Sequence, residues 1–157
     1  MPYRNLRHKD KAWETTTYFI SFSYFHDGKQ MIGGSSDNSA RRWDLQTGRE
    51  IVGARIVWEQ YVYAMAVSRD SRWVVTGGQS NGSEFGDLTA YEVDTRKMKI
   101  FRGHSDSIHC VDISVDNKLL ASGSKDSTAR IWDFVEFPQS QARASEVIPT
   151  QVLQGTR

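Results

Sequence analysis

The sequence predicts an all-β fold built from three similar antiparallel meanders, and three observations lead to that prediction. Two segments repeat one another, residues 37–50 and 126–136, at a constant offset of 89 residues (126 minus 37). Short β-rich runs alternate with the period of two that is typical of strands. Polar pairs that favour tight turns separate these runs, and no helical pattern competes with them.

The internal repeat sets the length of each meander. The residues shared by the two segments are Asp37, Ala40, Arg41, Trp43 and Asp44, which align with Asp126, Ala129, Arg130, Trp132 and Asp133. Half of the offset is close to the roughly 40–45 residues of a four-stranded propeller blade, which predicts a middle copy. Residues 61–78 align with residues 107–124, and residues 18–35 align with both, so the chain holds three copies.

Each copy carries the signals for four consecutive strands. The first turns are Asp27-Gly28, Asp70-Ser71 and Asp116-Asn117, three pairs that tolerate tight hairpins. The middle copy has a longer second hairpin, with an insertion at residues 82–87, and a last strand is predicted near residues 150–153. Cys110 lies in the first strand of the third copy, and we expect it to pack in the core.

Length and composition indicate one intracellular domain. The chain has 157 residues, of which 38% are hydrophobic and 25% charged, with a formal net charge of +1. Such a chain is neither disordered nor charged enough to draw nucleic acid or an anionic membrane to its whole surface. Cys110 is the single cysteine, which excludes an intramolecular disulfide and favours a reducing compartment. Because no secretory signal and no run of ~18 apolar residues is present, we expect a soluble protein of the cytoplasm or nucleus.

The third copy carries a motif that resembles the WD (β-transducin-like) repeat. It reads Gly103-His104, then Ser122-Gly123-Ser124-Lys125-Asp126, then Trp132-Asp133, at the spacing of that family. The first copy keeps Asp37 and Trp43-Asp44 but has Glu14-Thr15 where Gly-His belongs, and the middle copy is degenerate, with Trp58, Thr76, Asn81 and Tyr91-Glu92 at the motif positions. The resemblance covers residues 13–133.

This resemblance implies an open β-propeller of about three four-stranded antiparallel blades. The blades would span approximately residues 15–57, 58–103 and 104–155, after an N-terminal basic arm or edge strand at residues 1–12. Closed propellers have four to eight blades, so each end of the arc would expose an apolar face and an unpaired strand edge. We therefore expect self-association, or the remaining blades of a longer repeat protein, to cover these ends.

His104, Ser122 and Asp126 are the residue types of a hydrolytic triad, but the resemblance implies a structural role for them. In WD repeats the matching residues form a buried hydrogen-bonded network with the strand tryptophan. The predicted network comprises His104, Ser122, Asp126, Trp132, Asp37, Trp43 and Thr76. Nothing marks an exposed nucleophile with an oxyanion hole, and the four histidines lack metal-ligand spacing. We predict no catalytic residue, no metal and no cofactor.

The resemblance also implies where partner proteins bind. In WD propellers the loops that enter each blade share one rim with the second hairpins, and this rim is the usual partner face. The residues predicted at this rim are Tyr18, Tyr61, Tyr63, Phe85, Asp106, Ser107, His109 and Lys125. Exposed aromatics beside charged side chains are typical of interaction hot spots. The predicted function is a noncatalytic protein-interaction scaffold; a packed strand-start role for the tyrosines and a loop-anchor role for Phe85 stay open.

A basic arm and one buried arginine suggest alternatives. The arm consists of Arg4, Arg7, His8, Lys9 and Lys11, and a nucleic-acid-associated propeller fragment is the alternative function that it supports. The absence of interleaved aromatics argues against that alternative. Arg42 takes the place of Ile131 on a strand side that we expect to be buried, so its side chain must snorkel or pair with an acid.

Overall fold

Thirteen strands and no helix make up the part of the chain that the computed structural model describes, which is residues 18–51, 53, 56–57, 60–80, 84–134 and 149–154. The strands form three sheets in chain order, which we name blades 1, 2 and 3. The prediction of an all-β fold with three antiparallel meanders is confirmed.

Blade 1 contains β1 (Phe19–Tyr24), β2 (Gln30–Ser35), β3 (Ser39–Asp44) and β4 (Arg49–Glu50), with β5 (Ile56–Val57) also paired to β3. Blade 2 contains β6 (Gln60–Val67), β7 (Trp73–Ser80), β8 (Gly86–Glu92) and β9 (Met98–His104). Blade 3 contains β10 (Ile108–Ile113), β11 (Leu119–Ser124), β12 (Thr128–Asp133) and β13 (Gln151–Gln154). Every paired strand is antiparallel to its neighbour.

The first hairpin of each blade turns at a residue with a positive φ angle. Gly28, Ser71 and Asn117 have φ angles of 66°, 60° and 57°, a left-handed conformation that glycine and asparagine adopt at low cost. These hairpins also tie adjacent blades together. The N–H of His26 donates to Ser71 Oγ at 3.0 Å, and the N–H of Arg69 donates to Asn117 Oδ1 at 3.0 Å.

The hydrophobic core lies between the blades. One buried cluster joins Ile32 of blade 1 to Val62 of blade 2, and the other joins Leu88 of blade 2 to Ile108 and Trp132 of blade 3. All five of these side chains are fully buried. Each blade is a thin sheet, so its apolar side chains are removed from water only when the next blade packs onto them.

Close packing between blades depends on glycines of the second strands. A Cβ atom added to Gly34 would lie 2.3 Å from Val62 Cγ1, and one added to Gly77 would lie 2.6 Å from Ile108 Cγ2. Real Cβ atoms do not approach other carbons this closely. The missing side chains therefore leave sockets, and the following blade fills each with a branched side chain.

The outer faces of the two end blades are exposed. On blade 1, the side chains of Phe22 and Tyr24 are 49% and 65% exposed. On blade 3, Cys110 and Ala129 are exposed, and so is Leu153. The expectation that Cys110 packs in the core is wrong, because its side of β10 faces away from blade 2 and no described residue covers it.

Arg42 is half-buried in blade 1 and is held by polar and aromatic contacts. Its Nη2 atom donates to the amide oxygen of Gln30, and its guanidinium lies 4.5 Å from the centre of the Phe25 ring. Burial lowers the pKa of this arginine. The prediction is that this side chain either snorkels or pairs with an acid. Within the described residues no ion pair joins it to an acid, and the amide and the ring hold the guanidinium instead.

Candidate functional site

Blade 3 contains a hydrogen-bonded network of polar side chains that is largely buried. His104 at the end of β9 places Nδ1 2.7 Å from Asp126 Oδ2 and Nε2 2.8 Å from Ser122 Oγ. Trp132 Nε1 donates to the same Ser122 oxygen at 2.9 Å. The histidine and aspartate side chains are 0% and 4% exposed. The structure thus brings four of the predicted residues together, and the network connects blade 2 to blade 3.

The protonation states follow from burial and hydrogen bonding. Burial lowers the pKa of His104 below its ordinary value, and the hydrogen bond to Asp126 only partly opposes this effect. Burial would raise the pKa of Asp126, but donors from the Thr128 hydroxyl, the His104 ring and the Ser105 N–H hold it well below its ordinary range. A neutral imidazole then donates from Nδ1 to an ionised carboxylate and accepts at Nε2 from the Ser122 hydroxyl.

The geometry of the cluster matches a structural role. Ser122 is 3% exposed, and its oxygen is occupied by the imidazole and by the indole N–H of Trp132. A hydrolytic nucleophile needs an approach path for its substrate and an oxyanion hole beside it. In the described conformation Ser122 is almost fully buried, and both nitrogens of the His104 ring have a hydrogen-bond partner.

Thr128 is a network residue that the sequence interpretation missed. Its hydroxyl donates to Asp126 Oδ1 at 2.6 Å, and its N–H donates to the same oxygen at 2.9 Å. In blade 1, Ser39 at the aligned position makes the same two contacts to Asp37. The repeat offset that relates the two aspartates also relates these two hydroxyl residues, so the signal was present in the sequence.

The counterpart clusters in blades 1 and 2 have different partners. Asp37 forms an ion pair with Arg41, at 3.0 Å. Trp43, buried at 8% exposure, packs on Phe19 with their ring centres 5.3 Å apart. In blade 2 the buried amide of Gln60 lies 3.3 Å from Thr76 Oγ1 and 3.4 Å from Thr89 Oγ1.

Gln60 has no equivalent in the motif, and sequence reasoning did not single it out. Trp58, the residue proposed nearest the His position, lies outside the described residues, as do Glu14, Thr15 and Asn81.

The predicted rim residues lie at the end of the blades where β1, β6 and β10 begin. Tyr18 and Phe85 are 77% and 61% exposed, and His109 and Lys125 are exposed as well. Asp106 is half-buried, with its carboxylate 4.0 Å from Lys125 Nζ.

Ser107 departs from the prediction. It is buried, at 6% exposure, because its carbonyl accepts hydrogen bonds from the Lys125 N–H and the Ser124 hydroxyl, which draw it beneath the second hairpin of blade 3. Its side chain is therefore not available to a partner in this conformation.

Three rings of the rim form a continuous stack across blades 2 and 3. Tyr61 and Tyr63 are stacked with ring centres 6.3 Å apart and planes inclined by 10°. Tyr63 and His109 are stacked at 5.5 Å and 20°. Tyr61 is 37% exposed, and His109 is exposed. We name Tyr61, Tyr63 and His109 the aromatic stack. Neighbouring rings restrict one another, which lowers the conformational entropy of these side chains.

The described ranges contain neither a candidate metal site nor a candidate membrane-spanning helix. They hold no group of three or more His, Cys, Asp or Glu side chains that could bind a metal ion. They also hold no helix that is long and apolar enough to cross a membrane.

The stability of the chain is expected to fall as the pH is lowered from about 7.5 to about 5.5. The unfolded chain binds a proton at His104 near the ordinary pKa of 6.5, whereas the folded chain resists it, so acid favours unfolding. The contribution of Asp126 has the same sign and is lost at lower pH, below its ordinary pKa of 3.8. Urea melts at both pH values measure the effect. His104→Gln should remove most of the dependence. An unchanged dependence in His104→Gln would contradict the assignment.

Comparison with known proteins agrees with the motif and the fold. The family model described as "WD domain, G-beta repeat" matches residues 55–83 and 95–133. The chain contains WD repeats. Among curated proteins, these repeats are 31% identical over 125 residues to "Protein groucho" of Drosophila melanogaster, covering 79% of this chain and 17% of that protein. They are 29% identical over 108 residues to "WD repeat-containing protein 18" of Bos taurus, covering 63% and 24%.

Solved structures show the same WD-repeat propeller fold. "Structure of U3-55K" and "Crystal structure of RRP9 WD40 repeats" each superpose with a TM-score of 0.71 at 19% sequence identity. Each superposition covers 90% of this chain and 40% of the other. The WD-repeat chain spans 17% and 24% of the lengths of the two curated relatives reported above.

Proposed function

We propose that this WD-repeat chain is a noncatalytic protein-interaction scaffold of the cytoplasm or nucleus, which binds partner proteins through the rim that carries the aromatic stack. Families of this kind are generally protein-interaction scaffolds. The observation that carries the proposal is the stack itself, because three exposed or half-exposed rings form one surface that spans two blades. Exposed aromatic residues beside charges of both signs have the composition of binding hot spots.

The buried network supports this rim from below. The Ser124 hydroxyl donates to the carbonyls of Asp106 and Ser107, both at 2.9 Å, and the Asp126 N–H donates to the Ser124 oxygen at 3.1 Å. The Ser105 N–H donates to the Asp126 carboxylate at 3.0 Å. The loop that enters blade 3 is thereby fixed to the second hairpin of the same blade. A preorganised loop pays less ordering entropy on binding.

Rim substitutions are expected to weaken partner binding without changing the fold. Tyr61→Ser removes one end of the stack, and Lys125→Glu reverses an exposed charge beside Asp106. Each should lower the amount of partner captured by about tenfold, the loss expected for a moderate hot-spot residue. Affinity capture on the immobilised chain, followed by quantitative mass spectrometry, measures it.

The matched controls are Lys118→Glu and Val115→Ser, which lie at the opposite end of blade 3 and are exposed. They should leave capture unchanged. Equal capture by the rim variants and the wild type would show that the partners use another surface.

The alternative function, nucleic-acid association, rests on the basic arm at residues 1–12. That arm lies outside the described residues. A titration of nonspecific RNA against the chain at increasing salt distinguishes the two functions, because binding through phosphate contacts weakens steeply with salt. Binding that resists salt and depends on Tyr61 would favour the protein scaffold.

A further inference from the structure

The repeat places three equivalent apolar side chains on the first strand of each blade. The aligned residues are Phe19, Phe22 and Tyr24 in β1, Val62, Met65 and Val67 in β6, and Ile108, Val111 and Ile113 in β10. In blades 2 and 3 these side chains face the preceding blade and belong to the core clusters between blades. We name such a set of three a plug.

Each plug that is packed fits a glycine socket of the preceding blade. Val62 fills the space where a Gly34 side chain would lie, at 2.3 Å, and Met65 Cε lies 3.2 Å from the same point. Ile108 and Val111 fill the space at Gly77, at 2.6 and 2.9 Å. The two contacts between blades therefore use the same positions of the repeat.

Blade 3 carries the third socket, and no blade fills it in the described residues. Gly123 aligns with Gly34 and Gly77, yet the nearest described atom to its added Cβ is Cys110 Sγ of its own blade, at 2.5 Å. The socket opens into a groove of about 760 Å³. Cys110, Ala129 and Leu153 provide apolar surface in that groove, which polar residues such as Thr128 and Gln154 also line.

Blade 1 carries the third plug, and two of its three side chains are exposed. Phe22 is 49% exposed and Tyr24 is 65% exposed, although the equivalent residues of the other blades are packed between sheets. One chain therefore presents an open plug at one end and an open socket at the other. Because the net charge is only +1, two copies have little overall repulsion to overcome.

We propose that the socket face of blade 3 binds the β1 plug of a second copy of this chain, in a head-to-tail contact that repeats the packing between blades. The groove shares His109 and Lys125 with the rim. The proposed contact is made by Gly123 and the apolar side chains beside it, which are not rim residues, so the inference does not depend on the proposed function. A contact of this kind is heterologous.

The test uses two variants, one with a blocked socket and one with a blocked plug. Gly123→Leu places a side chain in the socket, and the nearest described atom to its Cβ is the sulfur at the end of the Cys110 side chain. Tyr24→Lys places a charge on the plug at an exposed position. Light scattering after size-exclusion chromatography should give a dimer or larger assembly for the wild type and a monomer for each variant alone. A mixture of the two variants retains one intact plug and one intact socket, so it should recover a dimer.

The thiol of Cys110 provides a second readout. Maleimide labelling of Cys110 should be slower in the wild-type assembly than in the monomeric Tyr24→Lys variant, because a bound plug covers the socket. Ala129→Glu, exposed in the same groove, replaces Gly123→Leu if that variant fails to fold.

A wild-type chain that stays monomeric at high concentration, with fully reactive Cys110, would overturn the proposal and leave the socket to a blade of another protein. An assembly unaffected by both socket variants would also overturn it, since the contact would then lie elsewhere.

Discussion

Valine in place of Gly34 or Gly77 is expected to lower the free energy of unfolding by about 2–3 kcal/mol, the cost of forcing methyl groups into a well-packed interior. The added Cβ alone would lie 2.3 Å from Val62 at the first site and 2.6 Å from Ile108 at the second. Both opposing side chains are fully buried and cannot rotate into solvent. Urea melts of each variant measure the loss.

Gly123→Val is the matched control, because it makes the same substitution at the same position of the repeat. The intrinsic gain of valine over glycine in a strand applies equally at all three sites, so the difference between them isolates the packing between blades. In the monomeric Tyr24→Lys background we expect Gly123→Val to cost less than Gly34→Val or Gly77→Val, because the nearest described atom to the added Cβ is the sulfur of Cys110, which is exposed and can move aside. Equal losses at all three glycines would mean that the cost arises within a blade rather than between blades.

Alanine at His104 or at Asp126 is expected to lower the free energy of unfolding by about 1–3 kcal/mol each, because each change leaves a buried partner without its hydrogen bond. Removing the imidazole leaves the Ser122 hydroxyl and the Asp126 carboxylate without their hydrogen bonds to it. Removing the carboxylate leaves the Thr128 hydroxyl and the Ser105 N–H without their acceptor. Thermal melts of the single variants give the two values.

The double variant tests whether the two residues act as one network. Its loss should be smaller than the sum of the single losses, since residues in one hydrogen-bonded cluster do not behave additively. His26→Ala and Asp112→Ala are matched controls, because both side chains are exposed. Additive losses, or losses no larger than those of the controls, would argue against a buried network.

Local turn chemistry made the first hairpins predictable. Gly28, Ser71 and Asn117 each follow an aspartate, and these pairs predicted the turns. A tight hairpin needs a residue in the left-handed conformation at this position, and that need does not depend on the rest of the fold. The strand meanders were predictable for a similar reason, because alternation and turn spacing are properties of neighbouring residues.

Contacts between distant segments were less predictable. Cys110 lies in an alternating pattern that is typical of strands in the core. Only the arrangement of the blades shows that no described residue packs on its side of β10. Gln60 was missed because a degenerate copy offers no motif position for it, although its amide reaches two threonines. Ser107 aligns with exposed tyrosines, yet hydrogen bonds from the neighbouring hairpin bury it.

The position of the core between blades also determines the smallest cooperative unit of this architecture. Each apolar cluster is shared by two sheets, so an isolated blade would have two faces and no interior of its own. The minimal foldable element is therefore a pair of blades, and the loss of a terminal blade removes one of the two packed faces of blade 2. Blade 2 contributes to both clusters, and the conformational stability of the whole arc depends on it more than on either terminal blade.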